Sequence, residues 1–248
     1  MQKSKVQLFL LHFAGGSRYS FDFLKEYLLY EVEFIPLELP GRGKRFGETL
    51  IRDKEIAIRD YCKQIKSLRN SSKPYIIYGH SMGATLGISV ASFMQKIGDE
   101  PEALILSGNS GPGTLPIDND GNNIPKKMRY LMNAIDFKNE LIELGGAPEE
   151  VLNNKEIYEF FDPILRADFE VLEKETTYTE EDIRINVPIH ALMGTEEKTS
   201  NQITNWQRFT TEKIQYSILE GNHFFIHNHV EKLSEVITDY TRVKALQL

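Results

Sequence analysis

Six short stretches of this chain are strand candidates, most of them apolar almost without a break: VQLFLLHF (6–13), EFIPLEL (33–39), YIIYG (75–79), EALILSG (102–108), VPIHALMG (187–194) and IQYSILEG (214–221). A strand covered on one face alternates apolar and polar residues, so unbroken runs predict strands covered on both faces, as in a parallel sheet. Between them, amphipathic stretches near 20–30, 52–69, 83–97, 200–210 and 229–244 predict helices. The β-α succession predicts an α/β fold: an open, mostly parallel central sheet with helices on both faces.

The succession breaks once, from 112 to 181. No strand pattern is visible there. The opening GPGTLPIDNDGNNIP (111–125) is rich in Gly, Pro, Asn and Asp, and helical stretches such as KKMRYLMNAI and FDPILRADFEVLEKE follow. A helical insertion between two sheet strands is expected to lie over the strand ends as a lid, within a single domain spanning 1–248.

Composition narrows the classes of partner. With 41% hydrophobic and 26% charged residues, the 248-residue chain reads as globular, and a formal net charge of −7 argues against nonspecific nucleic-acid binding. Cys62 is the only cysteine, so no intrachain disulfide exists and a reducing compartment is expected. It sits in the helical pattern IRDYCKQI as a half-buried filler. The apolar run after Lys5 is too short for a membrane span and is followed by no small-residue cleavage site. A cytoplasmic monomer without membrane contact is expected.

The candidate chemistry centres on Gly79-His80-Ser81-Met82-Gly83, which joins a predicted strand to a predicted helix. G-x-S-x-G at such a junction is the nucleophile elbow of α/β-hydrolases. A nucleophilic Ser needs a base, an acid and an oxyanion site. His223, after the last strand, is the candidate base; His12 and His190 lie inside strands as satisfied core or edge residues, and His80 reads as structural. His227 and His229 raise a metal alternative, but no carboxylate or thiol sits at ligand spacing within that cluster, so no metal is expected. The acid must lie between Ser and His in chain order. After EALILSG there is no carboxylate until Asp118, whereas VPIHALMG leads directly into Thr195-Glu196-Glu197, which leaves Glu196 and Glu197 as candidates. For the oxyanion site, the Met82 amide opens the helix after Ser81, and the Ala14 amide in HFAGGS is the candidate second donor, with Phe13 next.

HFAGGS, ELPGRGKR, YGHSMGA, LGGAPEEVL, LRADFEVLE and GNHFFI together resemble the type II (external) thioesterases of nonribosomal peptide and polyketide synthesis, over residues 6 to 240. The resemblance implies hydrolysis of acyl or aminoacyl groups from the phosphopantetheine arm of carrier proteins, with no cofactor of the enzyme's own. It implies Ser81 as nucleophile, His223 as base and Glu197 as acid, where that family usually has Asp. Carrier proteins are usually acidic, so Arg18, Arg42, Lys44 and Arg45 are a candidate docking patch. A general carboxylesterase or lipase, and a noncatalytic binding protein of the same fold, are the alternatives.

Overall fold

The computed structural model describes residues 5–242, apart from 29, 119, 121, 146–151 and 153. Six strands form one sheet: β1 (Val6–Leu11), β2 (Val32–Pro36), β3 (Tyr75–His80), β4 (Ala103–Ser107), β5 (Ile189–Gly194) and β6 (Gln215–Leu219). Their order is β2-β1-β3-β4-β5-β6 and every neighbouring pair is parallel.

Successive residues of the central strands enter different cores, as the period of two requires. Phe9, Leu11, Ile77, Leu104 and Leu106 pack with the apolar stripes of α2 (Lys54–Leu68) and α3 (Met82–Lys96). Leu8, Leu10, Ile76, Tyr78 and Ile105 pack on the other face with Leu24, Leu28, Leu233 and Ile237, from the first helical turns, which include α1 (Lys25–Leu28), and from the last helix, Val230–Arg242. Two-sided covering is why these strands read as unbroken apolar runs. The edge strand β6 departs from that expectation: Tyr216 and Ile218 are exposed. The helix expected over 20–30 is shorter, a 3₁₀ turn (Asp22–Leu24) running into α1, and 200–210 is a ten-residue 3₁₀ helix, Ser200–Phe209.

The β4–β5 connection carries α4 (Ala134–Glu143) and α5 (Lys155–Glu173), preceded by the 3₁₀ turn Arg129–Leu131. Both helices start on an Asn whose side chain accepts hydrogen bonds from first-turn amides: Asn133 for α4 and Asn154 for α5. Phe137, Leu141, Leu152, Leu165 and Phe169 make a small core of their own, against which Ala14 of the loop after β1 packs. Most of the LGGAPEEVL stretch (144–152) lies outside the described residues.

The chain leaves β1 for β2 on one side and returns across it to β3 on the other. The loops after β1 and β3 therefore diverge at the carboxyl ends of adjacent strands, a topological switch point where a crevice forms. Both the HFAGGS loop and the elbow lie there.

Candidate active site

Ser81 is the one described non-glycine residue with positive φ, at φ 54° and ψ −110°. Such a backbone costs roughly 1–3 kcal/mol and persists only where its surroundings impose it. They do so through the flanking glycines. A Cβ on Gly79 would sit 2.2 Å from the Gly83 carbonyl oxygen, and one on Gly83 would sit 2.0 Å from the Leu11 carbonyl oxygen. The Ser81 amide donates to the Ser107 carbonyl at 2.8 Å, tying the turn to β4. Only a Gly-x-Ser-x-Gly sequence makes so tight a turn from β3 into α3.

The loops after β5 and β6 meet beside it. Thr195 N–H donates to the Leu219 carbonyl (2.8 Å) and Glu196 N–H to the Gly221 carbonyl (3.0 Å). A side chain on Gly194 would collide with the Asn222 and Gly221 carbonyls, both 2.5 Å from its Cβ position. The result is one chain of hydrogen bonds. His223 Nε2 lies 2.9 Å from Ser81 Oγ, and His223 Nδ1 lies 2.7 Å from Glu197 Oε1. The carboxylate only accepts, so Nδ1 carries the proton and Nε2 is left to accept the Ser81 hydroxyl proton. Glu197 Oε2 accepts the Gly194 N–H at 2.7 Å, which fixes the carboxylate plane. Glu196 is exposed and does not join this chain.

The other histidines separate from it. His80 is fully buried behind His223, ring centroids 5.1 Å apart, with Nδ1 on Ser107 Oγ at 2.8 Å and Nε2 without a partner among the described residues. Burial, reinforced by His223, holds it well below the ordinary imidazole pKa, so it is neutral. His12 donates Nδ1–H to the Phe13 carbonyl (2.8 Å) and accepts the Leu39 N–H (3.3 Å); burial, then Arg42, lowers its pKa to about 4. His190 corrects the expectation of a satisfied histidine: neither ring nitrogen has a partner among the described residues, and the ring packs edge-on to Tyr240. His227 stacks on Phe224, while His229 Nε2 is 2.8 Å from the Glu220 carbonyl. No described His, Cys, Asp and Glu side chains group in threes as a metal site would need. Cys62 is fully rather than half buried, and burial pushes its thiol up to about 12.

The loop after β1 is braced by residues that sequence reading missed. Asp168, on α5 and with no exposed surface, accepts two hydrogen bonds from Arg42, Nη1 to Oδ2 at 2.6 Å and Nη2 to Oδ1 at 2.7 Å. Its Oδ2 also accepts the Gly15 N–H at 2.8 Å, and Arg42 Nη1 donates to the Gly16 carbonyl at 3.2 Å. The loop comes so close to α5 that a Cβ on Gly15 would lie 2.5 Å from Leu165 Cδ2. Ala14, one residue earlier, is positioned by this brace, and neither its N–H nor that of Met82 is spent on a backbone carbonyl in the turns and caps described. The signal for Asp168 was present: the apolar spacing Ile164, Leu165, Phe169, Leu172 puts an acid on the buried stripe of α5, where it requires a cationic partner. The same pair removes Arg42 from the candidate docking patch and leaves Arg18 and the exposed Lys44 in it. Arg42 is buried, and Arg45 is tied to Glu48 and Asp60, each at 2.6 Å, so neither is a free surface cation.

A cavity of about 750 Å³ opens over Ser81 and His223, between the sheet ends and the β4–β5 connection. Leu141 of α4 and Leu165, Phe169 and Leu172 of α5 give it an apolar wall.

The thioesterase domain family model matches residues 6–241. Linear gramicidin dehydrogenase LgrE of Brevibacillus parabrevis is 28% identical over 239 residues, covering 95% of this chain and 87% of that protein. The crystal structure of ClbQ from the colibactin NRPS/PKS pathway superposes with a TM-score of 0.84 at 24% identity, over 99% of this chain and 100% of that one. YbtT, described as a type II thioesterase from the yersiniabactin NRPS/PKS pathway, superposes with a TM-score of 0.80 at 22% identity, over 98% and 94% of the two chains. The fold is that of the α/β-hydrolases.

Proposed function

The chain belongs to the thioesterase domain family, and we propose that it is a type II thioesterase that clears acyl or aminoacyl groups from the phosphopantetheine arm of carrier proteins in peptide or polyketide synthesis. The observation that carries this reading is the hydrogen-bonded chain Ser81–His223–Glu197 at the floor of a cavity large enough for an acyl chain and the end of an arm. The pathways named for ClbQ and YbtT support the substrate class. LgrE carries a dehydrogenase name, but this sequence has no G-x-G-x-x-G dinucleotide fingerprint.

The mechanism follows from the roles the geometry allows. Ser81 Oγ attacks the thioester carbonyl as His223 Nε2 takes its proton, and Glu197 stabilises the imidazolium through Nδ1–H. The Ala14 and Met82 amides receive the negative charge on the carbonyl oxygen. The imidazolium gives its proton to the departing thiol. A water then attacks the acyl-Ser81 ester with His223 as base, and the free acid leaves. Nothing in this sequence of steps calls on a metal or cofactor; the phosphopantetheine belongs to the substrate. Helices α4 and α5 act as the lid, holding the acyl chain against the sheet ends. Through Asp168, α5 itself also holds the oxyanion loop.

Mass spectrometry of acyl-loaded carrier proteins incubated with the protein tests the reading. Conversion of acyl-carrier to free-thiol carrier is expected. Hydrolysis of small oxygen esters with intact acyl-carrier would make it a carboxylesterase instead, and no turnover of either would make it a binding protein.

A further inference from the structure

His80 stands one position before the nucleophile and takes no part in the steps above, yet none of it reaches solvent. Burying an imidazole costs free energy that a Leu or Phe in the same space would not. Its partners show what the ring does there.

Ser107 pairs in register with His80 across β3 and β4. Its Oγ lies 2.8 Å from His80 Nδ1 and 2.8 Å from the Tyr78 hydroxyl, and all three side chains are fully buried. The Tyr78 hydroxyl has no other hydrogen-bond partner among the described residues. Its proton therefore goes to Ser107 Oγ, and the Ser107 proton to His80 Nδ1. That order makes His80 a neutral imidazole with its one hydrogen on Nε2. A second imidazole this close to the base is a rival for the Ser81 proton. His80 does not compete, because Ser107 occupies its accepting nitrogen and burial opposes its charge.

The same ring backs the base. Its centroid is 5.1 Å from that of His223, with the planes tilted by 41°. A Cβ on Gly108 would lie 2.6 Å from His80 Cε1 and 3.1 Å from His223 Cε1, so Gly108 leaves room for the two rings to converge. Phe224 closes on each, edge-on to His223 at 5.2 Å and tilted to His80 at 5.5 Å. Ser107 ties this wall to the nucleophile: its carbonyl accepts the Ser81 N–H at 2.8 Å while its hydroxyl sets His80. His223 has to keep Nε2 on Ser81 as it gains and gives up a proton. A shift of about 1 Å in such a group can cost about 10²-fold in rate.

We infer that His80 is a positioning residue for thioester cleavage: a permanently neutral imidazole, oriented through Tyr78 and Ser107, that holds the His223 ring against Ser81 and Glu197. The inference rests on the thioesterase reading above.

The test uses the full chain, the acetyl thioester of N-acetylcysteamine, and the proton NMR resonance of His223 Nδ1–H, assigned by its loss in Glu197→Gln. His80→Phe keeps a ring but gives Ser107 no acceptor. Ser107→Ala removes one hydroxyl and keeps the carbonyl that holds Ser81. Each is expected to lower kcat about 10–100-fold with KM within about twofold of wild type. Each is also expected to broaden the Nδ1–H resonance, as a loosened ring exchanges that proton with water, while melting temperatures show that the variants fold. The double variant is expected to be about as slow as the slower single one, since both changes break one chain. In either folded variant, kcat within about twofold of wild type, or a lowered kcat with the resonance as sharp as before, overturns the positioning role. Losses that multiply in the double variant overturn it as well. Ser107→Ala alone decides the matter if His80→Phe does not fold. If the wild-type protein fails to cleave the thioester, the thioesterase reading falls, and the resonance still decides whether His80 holds His223.

Discussion

The two halves of the candidate site are held by different forces. On the sheet side, Ser81, His223 and Glu197 sit at strand ends, and backbone sterics fix them: Gly79, Gly83 and Gly194 each occupy a position where a Cβ would lie within 2.5 Å of a carbonyl oxygen. On the side of the β4–β5 connection, the loop after β1, the candidate oxyanion loop, is fixed by side chains, through the buried Arg42–Asp168 pair and its hydrogen bonds to Gly15 and Gly16. Backbone-built geometry tolerates loss of a functional side chain without collapse. Geometry built on a dry ion pair does not, because removing one charge strands the other.

The largest effect belongs to the sheet side. Ser81→Ala is expected to lower thioester turnover by about 10⁴–10⁶-fold with an unchanged melting temperature. Residual turnover within tenfold of wild type would remove Ser81 from its role. Next comes the acid. Glu197→Gln is expected to cost about 10³–10⁴-fold in kcat, with the exposed Glu196→Gln silent. Glu197→Asp is expected to lose activity as well, since Glu197 spans both His223 and the Gly194 amide through its full length. A damaging Glu196→Gln with a silent Glu197→Gln would reverse the assignment.

The connection side should behave otherwise. Asp168→Asn is expected to lower kcat about 10–100-fold through a displaced oxyanion loop, with KM for an acetyl thioester little changed. It should also cost about 3–5 kcal/mol in urea unfolding. Equal stability with full kcat would show that the brace does not reach the chemistry. The smallest effect concerns pH. His12 has its folded pKa lowered from 6.5 to about 4 by burial and then Arg42. Between those values the unfolded chain binds the proton and the folded one does not, so stability falls as pH drops from 6.5 toward 4, by about 3 kcal/mol for His12 in full. Replacement by Gln should flatten that part of the profile in urea titrations at pH 7, 5.5 and 4.5.

The same contrast explains what the sequence discloses. The strand runs, the elbow and the order Ser, acid, His are local patterns, and each is imposed by a steric or periodic rule that acts over a few residues. That Glu197 rather than Glu196 meets His223 was legible only through family resemblance, since both precede the same turn. Arg42 and Asp168 are 126 residues apart. Nothing near Arg42 distinguishes a buried arginine from a solvated one, and it read as part of a surface patch. Asp168 announced its burial through helical spacing but not the identity of its partner. His190 defied the rule that buried polar groups are paired, and no local pattern foretells that. The edge position of β6 likewise depends on sheet order rather than on its own residues.

The Arg42–Asp168 pair also restricts the mutational routes open to this chain. Either residue replaced alone leaves a buried charge, so the intermediate is selected against whichever change comes first. A paired replacement such as Arg42→Met with Asp168→Leu escapes that trap and can restore packing, yet it still leaves the Gly15 N–H without the carboxylate it now donates to. A double exchange is thus expected to regain stability and, on the proposed mechanism, not turnover. On the proposed mechanism the two positions are locked to each other by folding and to their present identities by turnover, a two-tier epistasis that a complete double-mutant library at 42 and 168, sorted once for expression and once for hydrolysis, would separate.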